Sequence, residues 1–159
     1  MKISSSTEYA ARLMAVLARS QSEASVSAER LSALENIPAD YVNQILLKLK
    51  RAGLVESRRG QGGGYALARP PQSVTLGQIM RAVEGRVFED VCEKYESGER
   101  DCRHQSRCAI SPVWRKLAAL VESYLDGVSL EQIMEEKPAA CGAAAAGTSG
   151  GMQWTTRPH

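Results

Sequence analysis

Residues 39–67 read ADYVNQILLKLKRAGLVESRRGQGGGYAL, and this stretch decides the fold. Apolar side chains recur at helical spacing over residues 41–52, and Gly53 then supplies a residue suited to the left-handed position after a helix end. Residues 54–57 and 65–67 alternate like two short strands around a basic, glycine-rich tip. The stretch therefore predicts a recognition helix followed by a two-stranded wing.

Two helices are predicted on the N-terminal side of this stretch. Ser5 and Glu8 match a capping box, which opens an amphipathic helix ending near residue 20. A short helix over residues 27–35 is expected to turn Leu31 and Leu34 inward, and the following Asn-Ile-Pro breaks it. Together with the recognition helix, this gives the outline of a helix-turn-helix.

Further helices are predicted on the C-terminal side. Thr75 and Gln78 form a second capping box at the start of a helix that ends near residue 84. Polar residues and cysteines then indicate an irregular loop, after which an apolar stripe predicts a long helix over residues 109–127. Ser129 and Gln132 cap a last short helix, and the Ala/Gly-rich remainder is typical of a disordered tail.

These elements predict a mainly α fold, a winged helix-turn-helix with a two-stranded wing and a long C-terminal dimerisation helix. We divide the chain into a DNA-binding domain (1–84), a cysteine loop (85–109), a dimerisation helix with the short final helix (110–136) and the tail (137–159).

Composition narrows the class of protein. The chain has 159 residues, of which 43% are hydrophobic, and it holds no apolar run long enough for a membrane span or a signal peptide, so a cytoplasmic location is expected. Residues 1–81 carry 11 Lys/Arg against 6 Asp/Glu, whereas residues 82–159 carry 9 against 12. This asymmetry favours a polyanion such as double-stranded DNA as the partner of the first half.

The beginning of the recognition helix is expected to face base edges or flanking phosphates in the major groove. Asn43 and Gln44 are expected to contact the base edges. Arg58 and Arg59 are suited to bind phosphates or to enter a narrow minor groove. The alternative is a winged helix that binds protein, with a merely solvated hairpin. The helix residues expected at the groove are Pro38, Ala39, Asp40, Tyr41, Asn43 and Gln44.

Three cysteines mark a candidate metal site. Nine residues separate Cys92 from Cys102, and five separate Cys102 from Cys108. Converging thiolates require a cation such as iron or zinc, and the wide spacing favours an iron-sulfur cluster over structural zinc. The alternative is three surface thiols without function.

A fourth ligand is still needed. His104 is the obvious candidate within the loop, and Asp101 is a weaker one. Cys141 lies in the tail and is taken as a bystander, because ordering the tail would cost entropy. Glu8 could reach the site only from a second subunit, and its capping role explains it equally well.

The stripe of the long helix predicts a homodimer, which would also set the spacing of two DNA half-sites. An intramolecular core helix is the alternative for some of these residues, and both arrangements could hold on different faces. The predicted interface residues are Trp114, Leu117, Val121 and Leu125.

The combined pattern resembles the IscR/NsrR family of bacterial winged-helix iron-sulfur transcriptional regulators over residues 1–136. The motifs that carry this resemblance are the recognition helix, the Arg-Gly-Gln-Gly-Gly-Gly-Tyr turn at residues 59–65, Thr75-Leu76 and the cysteine loop before a long helix. The resemblance implies a homodimer on a palindromic operator, with a 2Fe-2S or 4Fe-4S cluster on Cys92, Cys102 and Cys108. It carries DNA contacts over to Pro38, Asp40, Tyr41, Asn43, Gln44, Arg58 and Arg59.

The chain also departs from the family pattern. One branch has a His three residues after the last cysteine, where this chain has Ser111. In other branches an acidic residue of the partner's first helix is the ligand, and Glu8 matches it. The first cysteine gap is longer than in familiar members. Glu8 is therefore preferred as the fourth ligand over His104.

The predicted function is a cluster-containing transcriptional regulator, expected to be a repressor, that senses iron-sulfur status, redox state or nitric oxide and controls cluster-biogenesis or stress genes. A zinc-stabilised constitutive repressor is the alternative. A thiol or iron-sulfur oxidoreductase is disfavoured, because the sequence has no nucleotide fingerprint, no Ser-His-Asp set and no room for a substrate domain. Neither catalysis nor a small-molecule substrate is expected.

Overall fold

The computed structural model describes residues 3–21, 25–60, 62–86 and 108–136. Six helices, a short 3-10 turn at Pro71–Ser73 and a two-stranded antiparallel sheet lie in these ranges. The predicted cysteine loop, apart from its first two and last two residues, and the predicted tail lie outside them. The elements are α1 Ser5–Arg19, α2 Ala28–Glu35, α3 Ala39–Arg51, β1 Val55–Arg58, β2 Gly64–Leu67, α4 Leu76–Glu84, α5 Ser111–Gly127 and α6 Leu130–Glu135.

Helix α1 crosses the core, and its start differs from the prediction. Ser4, not Ser5, is the N-cap: its backbone is extended, and its side chain accepts a hydrogen bond from the Thr7 amide at 3.2 Å. The Glu8 side chain turns to Arg12 instead of closing a capping box. Leu13 and Met14 are fully buried, so this helix supplies the middle of the core.

Helices α2 and α3 form the predicted helix-turn-helix. Asn36 adopts a left-handed conformation with φ 53°, which ends α2 and turns the chain into α3. Leu31 is buried as expected, but the expectation for Leu34 is wrong, because this side chain is 57% exposed. At about 100° per residue, Leu34 lies about 120° around the helix from buried Ala28. Gly53 follows α3 with φ 68°, as predicted.

The wing is a hairpin of β1 and β2 whose ends pair Val55 with Leu67 and Arg58 with Gly64. The sequence did not indicate a further contact: Val26, ahead of α2, forms a bridge with Tyr65. The Val26 amide donates to the Tyr65 carbonyl at 2.9 Å, and the Tyr65 amide donates back at 2.8 Å. This bridge attaches the wing to the helix-turn-helix.

The C-terminal helices return to the winged domain. Both predicted capping boxes, at Thr75 and at Ser129, are confirmed, and these two residues also pair as an isolated bridge. The Leu130 amide donates to the Val74 carbonyl at 2.8 Å, and the Leu130 side chain is fully buried in the main core. The last helix is thus part of the same core as α1 to α4. No helix in the described ranges is both long and apolar enough to span a membrane.

Candidate nucleic-acid interface and metal ligands

Helix α3 presents a row of exposed side chains beside its buried face. The buried face is Val42, Ile45, Leu46 and Leu49. Pro38, the N-cap, is exposed at the start of the helix. The exposed row has helical spacing and consists of Asp40, Asn43, Gln44 and Leu47. This geometry suits insertion of the helix into the major groove.

Two residues of α3 depart from the predicted set. Tyr41 is partly buried, and its ring meets the Tyr9 ring edge-on at 5.7 Å, so part of its surface belongs to the core. Leu47 is 48% exposed within the row but was not singled out from the sequence. Its spacing from Asn43 and Gln44 was the available signal. An apolar side chain there suits contact with a thymine methyl group.

The two wing arginines have different surroundings. Arg58, the last residue of β1, forms an ion pair with Glu56 at 3.0 Å, and its side chain is 51% exposed. Arg59 is also exposed, and its side chain has no hydrogen bond or ion pair to any residue that the structure describes. Arg59 is therefore more available than Arg58 to bind a DNA phosphate.

The wing is held at a defined distance from α3. The Lys50 ammonium, near the end of α3, donates to the Ser57 hydroxyl at 2.6 Å. On the other side of the hairpin, the Ser25 hydroxyl donates to the Gly62 carbonyl at 2.6 Å. Gly64 lies directly against the Val26 backbone, where any Cβ atom would collide with the Val26 carbonyl. Recognition helix and wing therefore form one connected surface.

The candidate metal ligands are only partly within the described residues. Cys108 is partly buried, forms no disulfide with any residue that the structure describes, and stands three residues before α5. Cys92, Cys102, His104, Asp101 and Cys141 lie outside the described ranges. Within those ranges, no group of three or more His, Cys, Asp or Glu side chains is close enough to hold a metal ion.

Glu8 is exposed on the first turn of α1 and belongs to a chain of charged contacts. Its carboxylate lies 3.7 Å from Arg12, and its side chain is 62% exposed. Arg12 also contacts the end of α2, donating to the Glu35 carboxylate at 2.7 Å and to the Glu35 backbone carbonyl at 2.9 Å. The hydrogen bond with Glu35 raises the pKa of Arg12 above its ordinary value. Glu8 is thus linked to the residue that precedes the helix-turn-helix turn.

Helix α5 divides the predicted stripe between two faces. Leu125, predicted at the dimer interface, is buried within its own chain against Met80 of α4, and Val121 packs on the same cluster, as in the intramolecular alternative. Trp114 and Leu117 are exposed. The exposed apolar seam, which we call the α5 seam, repeats at intervals of four, three and four residues. It consists of Val113, Leu117, Leu120 and Tyr124, with Trp114 beside it.

Comparison with known proteins decides the family. Residues 3–136 match the Rrf2 family model, whose members are described as iron-dependent transcriptional regulators. The chain belongs to the Rrf2 family. The transcriptional regulator IscR of Aliivibrio salmonicida is 35% identical to this Rrf2 protein over 134 residues, covering 84% of this chain and 77% of that protein.

Solved structures agree with this assignment. IscR from T. potens superposes with a TM-score of 0.66 at 29% identity, covering 85% of this chain and 87% of that one. CymR, the global cysteine regulator of B. subtilis, gives a TM-score of 0.67 at 30% identity, covering 85% and 97%. The predicted IscR-like, mainly α winged-helix fold is therefore confirmed, and the chain is a transcriptional regulator of the Rrf2 type.

Proposed function

We propose that this Rrf2 regulator is a homodimeric repressor and that an iron-sulfur cluster controls its affinity for a palindromic operator. The observation that carries the proposal is the exposed row on α3 together with an attached wing, whose exposed Arg59 has no partner among the described residues. Asn43 and Gln44 would read bases, since amide side chains can form paired hydrogen bonds with adenine. Pro38, Asp40, Tyr41 and Arg58 complete the proposed contact set.

Dimerisation is supported by the α5 seam. Its four apolar side chains are between 40% and 71% exposed, and their spacing is that of helices that pack side by side. A second copy of the chain is the occupant that such a self-complementary seam fits. Leu125 is satisfied within its own chain, so Trp114 and Leu117 are the predicted residues that we retain at the centre of the interface.

The residues also suit the group that the family description implies. Cys108 offers a partly buried thiol, and Glu8 offers an exposed carboxylate 3.7 Å from Arg12. We propose Cys92, Cys102 and Cys108 as thiolate ligands and Glu8 of the other subunit as the fourth ligand, with His104 as the substitute. A bound cluster supplies redox chemistry and an iron open to attack by oxygen or nitric oxide.

The contacts of Arg12 suggest how Glu8 can influence DNA binding. Arg12 is shared between Glu8 and Glu35, and Glu35 ends the helix before the turn into α3. If Glu8 bound the cluster, Arg12 would lose its ion pair with Glu8 and keep the one with Glu35. The ion pair between Arg12 and Glu8 is exposed and therefore weak, about 0.3–0.5 kcal/mol, so breaking it to free Glu8 for the cluster costs little.

The function is tested on protein purified without oxygen. We expect a brown protein containing iron and acid-labile sulfide, together with an affinity for selected DNA that changes when a chelator and an oxidant remove the iron. The DNA probe is a duplex enriched from a random library, with loaded and iron-free protein selected in parallel. A colourless, zinc-containing protein whose affinity survives metal removal would instead identify a constitutive repressor.

Substitution of Glu8 tests the fourth ligand. Glu8→Ala is expected to shorten the lifetime of the cluster in air at least fivefold and to change its absorption spectrum, while Glu8→Asp keeps both close to the parent. Glu29→Ala is the matched control, since it removes an acidic residue from the first turn of α2. An unchanged spectrum and lifetime in Glu8→Ala would exclude Glu8 as the fourth ligand.

Substitution of Arg59 tests the wing. Arg59→Ala is expected to weaken binding to all duplexes alike, and to reduce the slope of log affinity against log salt by about 0.9 per subunit, as expected for one lost phosphate contact. Arg58→Ala is the control, because Arg58 already pairs with Glu56, and its effect should be smaller. Fluorescence anisotropy at several salt concentrations measures both slopes. Equal slopes for Arg59→Ala and the parent would remove Arg59 from the contact set.

A further inference from the structure

Lys48 is exposed on the recognition helix one turn after Gln44, at the edge of the exposed row, but its ammonium is engaged by another helix. Its ammonium donates to the Val83 backbone carbonyl in the last turn of α4, at 2.8 Å. Carbonyls in the last turn of a helix have no amide partner within the helix and lie at the negative end of its dipole. A lysine ammonium donates a hydrogen bond to the unpaired oxygen, and its positive charge interacts favourably with the negative end of the dipole. Lys48 therefore fastens α3 to the end of α4.

The same turn of α4 is fastened to the start of α1. Glu84, the residue after Val83, accepts a short hydrogen bond from the Ser4 hydroxyl and a longer one, at 3.5 Å, from the Thr7 hydroxyl. Ser4 caps α1, and Thr7 is 3% exposed. Glu8 directly follows Thr7, so the helix turn that carries this proposed ligand rests on α4.

Helix α4 is fastened to α5 as well. Arg81 forms a close ion pair with Asp126 near the end of α5, and the Thr75 hydroxyl donates to the same carboxylate oxygen at 3.5 Å. Gly77 leaves the space that Asp126 occupies, because a Cβ there would collide with the carboxylate. Helix α5 begins three residues after Cys108. Helix α1, which carries Glu8, and helix α5, which begins just after Cys108, thus both contact α4.

From these contacts we infer that Lys48 is a positioning residue, which passes the state of the cluster ligands to the recognition helix through the last turn of α4. The inference rests on the proposed function. Displacement of α1 or α5 moves the Val83 carbonyl, and Lys48 makes α3 follow. Without the ammonium, α3 keeps its buried face and its exposed row but loses this connection. Lys48 is therefore needed for the response to the cluster and not for contact with DNA.

The test compares Lys48→Met with Lys50→Met. Both substitutions remove one lysine charge from the last half of α3, but Lys50 donates to Ser57 of the wing and not to α4. Affinity is measured with the enriched duplex for loaded and for iron-free protein. We expect the ratio of the two affinities to fall at least fivefold toward one in Lys48→Met, to stay within twofold of the parent in Lys50→Met, and to be restored in Lys48→Arg.

Two measurements on iron-free protein judge the inference independently of the cluster. Lys48→Met should leave the salt slope unchanged and should speed amide hydrogen exchange at the end of α4 and in α3, whereas Lys50→Met should not speed it. Equal weakening of both states with a slope reduced by about 0.9 per subunit would make Lys48 a phosphate contact and overturn the inference. The inference would also be overturned if Lys48→Met changed neither the rate of amide hydrogen exchange nor the ratio of the two affinities. A parent whose two states bind equally would refute the proposed function, and the exchange result would still decide the role of Lys48.

Discussion

Leu117→Glu is expected to convert the proposed dimer into a monomer and to lower operator affinity by about 10²- to 10⁴-fold, the usual gain from joining two binding modules. Leu117 lies near the middle of the α5 seam and is 40% exposed in the single chain. At a two-fold interface the substitution would place two carboxylates in the same apolar contact. Burying unpaired charges there costs several kcal/mol, which exceeds what the remaining apolar contacts can offset.

Ala119→Glu is the matched control for this prediction. Ala119 is exposed and lies two positions further along, about 200° around the helix from Leu117. It introduces the same charge on α5 without touching the seam. Sedimentation velocity gives the mass of both variants, and anisotropy gives their affinities. A Leu117→Glu protein that remains dimeric would mean that the subunits associate through another surface.

Gly64→Ala is expected to lower operator affinity at least tenfold and to reduce the free energy of unfolding by about 1–3 kcal/mol, as for other overpacked sites. The added methyl group would overlap the Val26 carbonyl, so the Val26–Tyr65 bridge must open or shift. The wing then loses its attachment on the side opposite Lys50. Arg59 would be carried away from the phosphate that it is proposed to contact.

Gly127→Ala provides the comparison, because a Cβ at Gly127 meets no atom within 4 Å. Its unfolding free energy should equal or slightly exceed that of the parent, since alanine restricts the unfolded chain. Thermal unfolding with circular dichroism and anisotropy on the enriched duplex measure both effects. Unchanged DNA affinity in Gly64→Ala would show that the position of the wing is unimportant for binding.

The parts of the fold that depend on local chemistry could be predicted from the sequence. The capping boxes at Thr75 and Ser129 and the turn at Gly53 were found where expected, because each uses residues within one helical turn. The cap of α1 was assigned one residue too late. Ser4 and Ser5 are equivalent as local caps, and the structure places the Ser4 hydroxyl against Glu84, 80 residues away.

Contacts between distant segments set the limit of that prediction. The apolar residues of α5 form a nearly continuous stripe, and only the position of Met80 shows that Leu125 faces inward while Leu117 faces outward. The contact of Lys48 could not be predicted either, because nothing in its neighbourhood along the chain points to the Val83 carbonyl. The sequence identified the types of residue at the candidate interface but not which of them are already engaged.

Burial of Leu130 in the main core has a practical consequence for anyone who wishes to exchange operator specificities between regulators. The residue that completes the hydrophobic core of the winged helix-turn-helix lies after the long helix α5. The winged helix-turn-helix is therefore not an independent unit that can be cut off at residue 86. A chimera joined there would pack the Leu130 of one protein into the core of another. Grafting only the exposed side chains of α3 and the wing keeps that interior whole.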